Sequence, residues 1–220
     1  MHSFGHPVRI ERIAEICREA GILLIADEVV TGFGRTGHWF AQAREGIEAD
    51  MMTLAKGLSS AYQPIAAAVV SDQVHDTVAE AGEAFQHGFT TSGHPVASAV
   101  ALENIAILER EDLIARSAAM GQYLHDRLAG LADHPLVGEV RGYGLLAGIE
   151  LVADKAARTG YPLEAGICGH VANAALIIRA TGNSLVICPP LIITEAEIDA
   201  VVTALSEALD EVHGRLTASG

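Results

Sequence analysis

The run Ile22 to Val30 is apolar throughout except for Asp27 and Glu28, and it follows directly on a glycine, Gly21. Upstream, Ile10, Ile13, Ile16 and Cys17 recur at helical spacing with charges between them, so Val8 to Ala20 is predicted to be an amphipathic helix with Gly21 at its C-cap. Helix, glycine and buried strand in that order are the cadence of an α/β sheet with parallel strands. A carboxylate inside such a strand is costly unless it is paired, hydrogen-bonded or neutralised, so Asp27 needs a partner. Strand alternation sets Asp27, Val29 and Thr31 on one face and Glu28 and Val30 on the other. Asp27 reads either as a group with chemistry to perform or as a strand-end carboxylate that caps a loop.

Further strands are predicted at Asp50 to Leu54, ending in Ala55-Lys56-Gly57, and at Ile65 to Ser71. Helical patterning resumes over Pro95 to Leu108 and, after the charged break Glu109-Arg110-Glu111, over Asp112 to Leu131. From Gly138 the character changes. Hairpin-like strands around Val140 to Gly142 and over Leu145 to Val152 lead to a helix and a strand pair near Leu176 to Ile187. Thr194 with Glu197 forms a capping box that opens a final helix. A domain boundary is therefore expected near residue 112, with a smaller α+β domain behind it.

Charge and composition narrow the function classes. With 28 acidic against 14 basic side chains and a net charge of −14, the chain lacks the clustered cations that bind nucleic acid. Apolar runs such as Pro95 to Leu102 end too soon to span a bilayer, so no membrane partner is expected. Met1 to Arg12 carries charges where a signal peptide would be apolar, and the expected compartment is the cytoplasm. Cys17, Cys168 and Cys188 are odd in number and set among apolar residues, which predicts reduced core thiols. The ten histidines show no metal-ligand spacing, and neither GxSxG nor HExxH occurs, so hydrolase and metalloenzyme readings have no anchor and no metal is expected. His87 and His94 flank the Gly, Thr and Ser cluster at Gly88 to Gly93 without an assigned role. A hydrophobic fraction of 50% and a mean hydropathy of +0.30 suggest that some apolar surface is meant for another subunit or a missing segment.

Lys56 stands out as one of few lysines, at a strand end just before Gly57. An amine set on apolar walls can act as a nucleophile or Schiff-base partner; on an open surface it is a snorkelling lysine. Gly32-Phe33-Gly34-Arg35-Thr36-Gly37 matches GxGxxG directly after a strand, as a dinucleotide-binding turn would. A nicotinamide dehydrogenase reading, however, wants an uncharged strand before the first glycine and leaves Asp27 and Lys56 unexplained.

Taken together, Leu24-Ile25-Ala26-Asp27-Glu28-Val29, Thr31 to Gly37 and Ala55-Lys56-Gly57-Leu58-Ser59-Ser60 resemble the class III (omega) aminotransferases of the type I pyridoxal phosphate fold. The resemblance continues through His87-Gly88-Phe89-Thr90, Ser92-Gly93-His94-Pro95, Val140-Arg141-Gly142, Gly144 to Leu151 and Pro189 to Thr194. It implies an α/β fold, with residues 1–112 a partial large domain built on a mostly parallel sheet and residues 113–220 a small α+β domain. It also implies pyridoxal 5′-phosphate held by Lys56, a contact from Asp27 to the ring nitrogen, packing of Val29 on the ring, and Phe89 and Thr90 reaching the cofactor phosphate of a dimer partner. Arg179 matches a mobile arginine that takes a keto-acid carboxylate. Ser59 to Pro64 is most similar to the branch that moves an amino group from amines or omega-amino acids to a 2-oxo acid such as pyruvate. Glutamate-semialdehyde aminomutase and diaminopelargonate aminotransferase share the same motifs. Complete members are about twice as long, so the expectation is an N-terminally truncated enzyme or, alternatively, a catalytically inactive fragment or interaction module.

Overall fold

The first helix is present as α1, Ile10–Ala20, in a computed structural model that describes residues 10–82, 84–162, 166–175 and 178–218. Gly21, at φ 66°, ends it as expected: its N–H donates to Arg18 O and that of Ile22 to Cys17 O, the two bonds of a Schellman cap. Two compact units follow from the packing, one within Pro7–Ala115 and one within Arg116–Gly220.

In the first unit, β1 (Ile25–Asp27) is shorter than the run Ile22 to Val30. The chain leaves the ladder where the Asp27 carboxylate takes the Val29 N–H and the Gly32 N–H turns back onto Glu28 O. After the short α2 (Ala41–Arg44), β2 (Met51–Leu54) pairs parallel with β1, and β3 (Ala67–Val70) pairs antiparallel with β2. The expected parallel arrangement therefore holds for one pairing and not the other. A parallel return needs a crossover of a dozen or more residues, usually helical, whereas β2 and β3 are joined by turns and a single 3-10 turn, Lys56–Leu58. Helices α3 (Asp72–Glu80) and α4 (Pro95–Arg110) complete the unit, and α5 (Leu113–Ala129) begins at its end.

The second unit is built on β4 (Val137–Tyr143), β5 (Leu146–Asp154), β7 (Arg179–Thr181) and β8 (Ser184–Ile187), in the sheet order β4-β5-β8-β7. The two-residue β6 (Thr159–Gly160) pairs with β5. Helices α6 (Ile167–Ala175) and α7 (Glu195–Ala218) cover the sheet together with most of α5. Ile198, Val202, Leu205, Leu209 and Val212 give α7 one apolar stripe, which meets Leu124, Leu128, Ile149, Val171 and Leu185. Each such side chain contributes about 1.5–3 kcal/mol by leaving water. The capping box forms as read: Thr194 Oγ1 accepts the Glu197 N–H at 3.3 Å, and Glu197 Oε2 accepts the Thr194 N–H at 2.8 Å.

Apolar exposure is distributed unevenly. Ile22, Leu23 and Ile25 around β1, Val69 and Val70 on β3, and Leu102 are all exposed, whereas Tyr143 and Ile192 are the exposed large apolar residues of the second unit among those described. Of the cysteines, only Cys168 matches the expected core thiol; burial pushes it up to about 11, while Cys17 is half-buried and Cys188 exposed. Among the described residues no helix is long and apolar enough to cross a membrane, and none group as a metal site.

Candidate functional site

Asp27 ends β1 directly beside Thr53 of the parallel strand β2. Its Oδ1 accepts the Thr53 hydroxyl at 3.1 Å and the Val29 N–H at 3.1 Å, while Oδ2 has no partner among the described residues. The carboxylate is exposed, so the buried acid of the apolar run is not Asp27. It is Glu28, only 2% exposed, whose Oε1 accepts the Gln42 N–H at 2.8 Å and whose Oε2 accepts the Thr31 hydroxyl. Val29 lies in a turn, so the strand alternation proposed for Asp27, Val29 and Thr31 stops at Asp27. Here the loop-capping role and an outward-facing carboxylate coexist in one side chain.

Lys56 follows β2 and opens the 3-10 turn at φ 41°. Its side chain is exposed rather than walled in, and Nζ makes no hydrogen bond or ion pair among the described residues. Lys155, the other lysine of the chain, donates instead to Ala132 O and His134 O. Asp27 and Lys56 thus both emerge at the carboxyl ends of neighbouring parallel strands, where α/β sheets place their ligands.

The glycine motif braces this turn. No helix opens within it; Phe33, at φ 57° and 5% exposed, donates its N–H to Trp39 O at 2.6 Å and meets the Phe40 ring edge-on at 5.5 Å. Phe33 also closes on Gly57 so tightly that a Cβ there would sit 2.9 Å from Phe33 Cβ. From the other side Asn104 of α4, 8% exposed, donates Nδ2–H to Gly57 O at 2.8 Å and to Leu58 O at 3.2 Å. From the sequence alone Glu28, Phe33 and Asn104 carried no role, although a second carboxylate in an apolar run and an amide on a buried helix stripe were signals available there.

Phe89 and Thr90 lie in the same unit, in an exposed segment outside the strands, and no hydrogen bond among the described residues joins them to Asp27, Val29 or Lys56. His94 caps α4, its Nδ1 accepting the Ala97 N–H at 3.4 Å, which gives that histidine a structural task. Arg179 begins β7 in the second unit, opposite Val186, with an exposed guanidinium that makes no ion pair among the described residues. The arrangement in the first unit offers an unengaged primary amine and a half-engaged carboxylate on adjacent strand ends, a pairing suited to carbonyl chemistry at the amine with a cationic or protonated group at the acid.

The family described as Aminotransferase class-III matches residues 4–209. A putrescine–pyruvate aminotransferase of Pseudomonas aeruginosa is 45% identical, over 94% of this chain and 46% of that protein. A diaminobutyrate–2-oxoglutarate transaminase of Halomonas elongata is 42% identical, over 96% and 47%. Among solved structures, an omega transaminase from Pseudomonas jessenii in complex with PMP superposes with a TM-score of 0.88 at 45% identity, over 96% of this chain and 48% of that one. An (S)-enantioselective omega-transaminase from Thermomicrobium roseum gives a TM-score of 0.88 at 45% identity, over 92% and 46%. The chain spans about half the length of the relatives it matches.

Proposed function

Because the chain belongs to the class-III aminotransferases, we propose that it carries the lysine and the acidic partner of a pyridoxal 5′-phosphate site. The enzyme would move an amino group from an amine or omega-amino acid to a 2-oxo acid such as pyruvate. The observation that carries this reading is the pair Asp27 and Lys56 at the carboxyl ends of β1 and β2. The cofactor asks for a primary amine able to take its aldehyde carbon and for an anion opposite its ring nitrogen. Lys56 Nζ, unengaged among the described residues, and Asp27 Oδ2, left open by two bonds to Oδ1, fit those demands.

When bound, the cofactor supplies a sink for the electron pair left on the substrate carbon as its proton departs. Lys56 would hold the cofactor through Nζ and, when its amine is free, would carry a proton on Nζ between the substrate carbon and the cofactor's C4′. Asp27, oriented by Thr53 Oγ1 and the Val29 N–H, keeps a proton on the ring nitrogen through its negative charge. Val29, in the turn that begins beside Asp27, is the neighbour best sited in sequence to pack on the ring. Thr90 and Phe89 are assigned to the cofactor phosphate of a second copy in a homodimer, a role supported by the exposure of both. Arg179 is assigned to the 2-oxo acid carboxylate, supported by a planar cation with no ion pair among the described residues. The acceptor assignment draws on the likeness to a putrescine–pyruvate enzyme. Residues 1–112 are read as part of the cofactor-binding domain and residues 113–220 as the small domain, in a cytoplasmic enzyme.

The test is chemical. Incubation with pyridoxal phosphate followed by borohydride reduction and peptide mapping should mark Lys56, and Lys56→Ala should lose the visible absorbance band. A mark on Lys155 alone, or identical spectra for both proteins, would overturn the assignment.

A further inference from the structure

We propose that Asn104 is a positioning residue for Lys56, locking the backbone turn that aims its amine; the inference rests on the reading of Lys56 as the cofactor-bearing lysine. Lys56 holds a left-handed φ of 41°, a conformation that costs a non-glycine residue of order 1 kcal/mol and persists only where the surroundings impose it. The turn's own bonds are few: the Leu58 N–H reaches Ala55 O at 2.9 Å and the Ser59 N–H reaches Lys56 O at 3.3 Å. The carbonyls of Gly57 and Leu58 point out of the turn, and one amide group, Asn104 Nδ2, donates to both, at 2.8 and 3.2 Å.

Asn104 is sited where an apolar side chain would be the default. Ala97, Ala101, Asn104 and Leu108 form the buried stripe of α4, and Asn104 alone among them is polar. Burying an amide is unfavourable unless its bonds are made, and both donor bonds here go to the residues that immediately follow Lys56. The anchor is firm, since Pro95 and the His94 cap set the start of α4. Phe33 presses on Gly57 from a separate loop, so Gly57 is held by a packed ring and by a hydrogen bond to a helix. Asn104 touches neither reacting partner of the proposed chemistry; it acts through the backbone beside Lys56.

Asn104→Asp replaces the donor with an acceptor facing two carbonyl oxygens, and Asn104→Leu removes the donor at similar volume. Each variant and the wild type would be incubated with pyridoxal phosphate, reduced at timed intervals and mapped, with Lys155 as the internal reference. Backbone exchange at Leu58 and Ser59 and the absorbance maximum of the attached group would be recorded in parallel. Lys56 labelling about tenfold slower relative to Lys155, exchange at Ser59 about tenfold faster and a moved absorbance maximum are expected. A folded variant with the wild-type Lys56 to Lys155 ratio and wild-type exchange at Ser59 overturns the proposal. If Asn104→Asp fails to fold, Asn104→Leu carries the test. Wild-type protein that labels at Lys155 and not at Lys56 refutes the reading of Lys56 and the proposal with it, whereas labelled wild type with unaffected variants refutes the role of Asn104 alone.

Discussion

Replacing Gly57 with alanine tests whether the glycine motif and the lysine turn are one packed unit. The new methyl would lie 2.9 Å from Phe33 Cβ, 3.2 Å from Cδ2 and 3.3 Å from Cγ, against the roughly 3.5–4.0 Å at which carbon atoms rest. Phe33 cannot swing clear, because the tightest contact is to its Cβ, beside a backbone held by the Trp39 carbonyl. Overpacking of this kind costs about 1–3 kcal/mol, and the stiffer unfolded chain returns at most about 1 kcal/mol, so a net loss of about 1–2 kcal/mol is expected. Trp39, the single tryptophan, lies in this loop, so its fluorescence during urea unfolding reports the first unit directly. With a slope of about 2 kcal/mol per molar, the midpoint should fall by roughly 0.5–1 M. Phe33→Ala would keep the offending Cβ; Phe33→Gly removes it and suits φ 57°. In the Phe33→Gly background, Gly57→Ala should therefore cost almost nothing, a coupling of about 1–2 kcal/mol. Equal losses in both backgrounds, or an unshifted midpoint in the wild-type background, would refute the argument that Phe33 supports the turn beside Lys56.

Asp27→Asn should leave pyridoxal phosphate attachment at Lys56 intact while turnover of amine and 2-oxo acid falls at least about a hundredfold; unimpaired turnover would remove Asp27 from the chemistry. Thr194→Ala removes the hydroxyl that accepts the Glu197 N–H and donates to Glu197 Oε2, leaving the backbone N–H bond to Glu197 in place, and should cost about 1 kcal/mol, measured by thermal or urea unfolding of the second unit. Burial holds His125 and His134 below the ordinary imidazole value of 6.5, so the unfolded chain binds protons first. Stability from this source is full above pH 6.5 and declines as pH falls below it, whereas the lowered Glu197 contributes its own loss only below about 4.5. Urea midpoints at pH 7.5 and 5.5 should differ in that sense, and His125→Gln should flatten the difference.

Legibility varied with the range of the interactions involved. The C-cap at Gly21 and the capping box at Thr194 and Glu197 close within a few residues, so composition at those positions was enough to read them. The chain of motifs around Asp27, Lys56 and Gly142 carried the family because their order and types are written along the sequence. By contrast, the sequence argued against a nucleotide-binding role for the GxGxxG match but did not show what its loop does instead, which is to seat Phe33 beneath Gly57.

By itself the sequence determined most of the helices and strands in order, though not α2 or α3, together with the amphipathic pattern of α1 and the residue types from which an amine and an acid could be drawn. Tertiary structure alone decided that Glu28 is the buried carboxylate and Asp27 the open one, because Gln42 and Thr53 arrive from other segments to claim them. It also decided that β3 runs against β2 and that Asn104, 47 residues along the chain, holds the turn after Lys56. A hydrogen bond between distant residues depends on where the fold brings them, and a carboxylate or an amide in a linear pattern carries no mark of which partner it will meet.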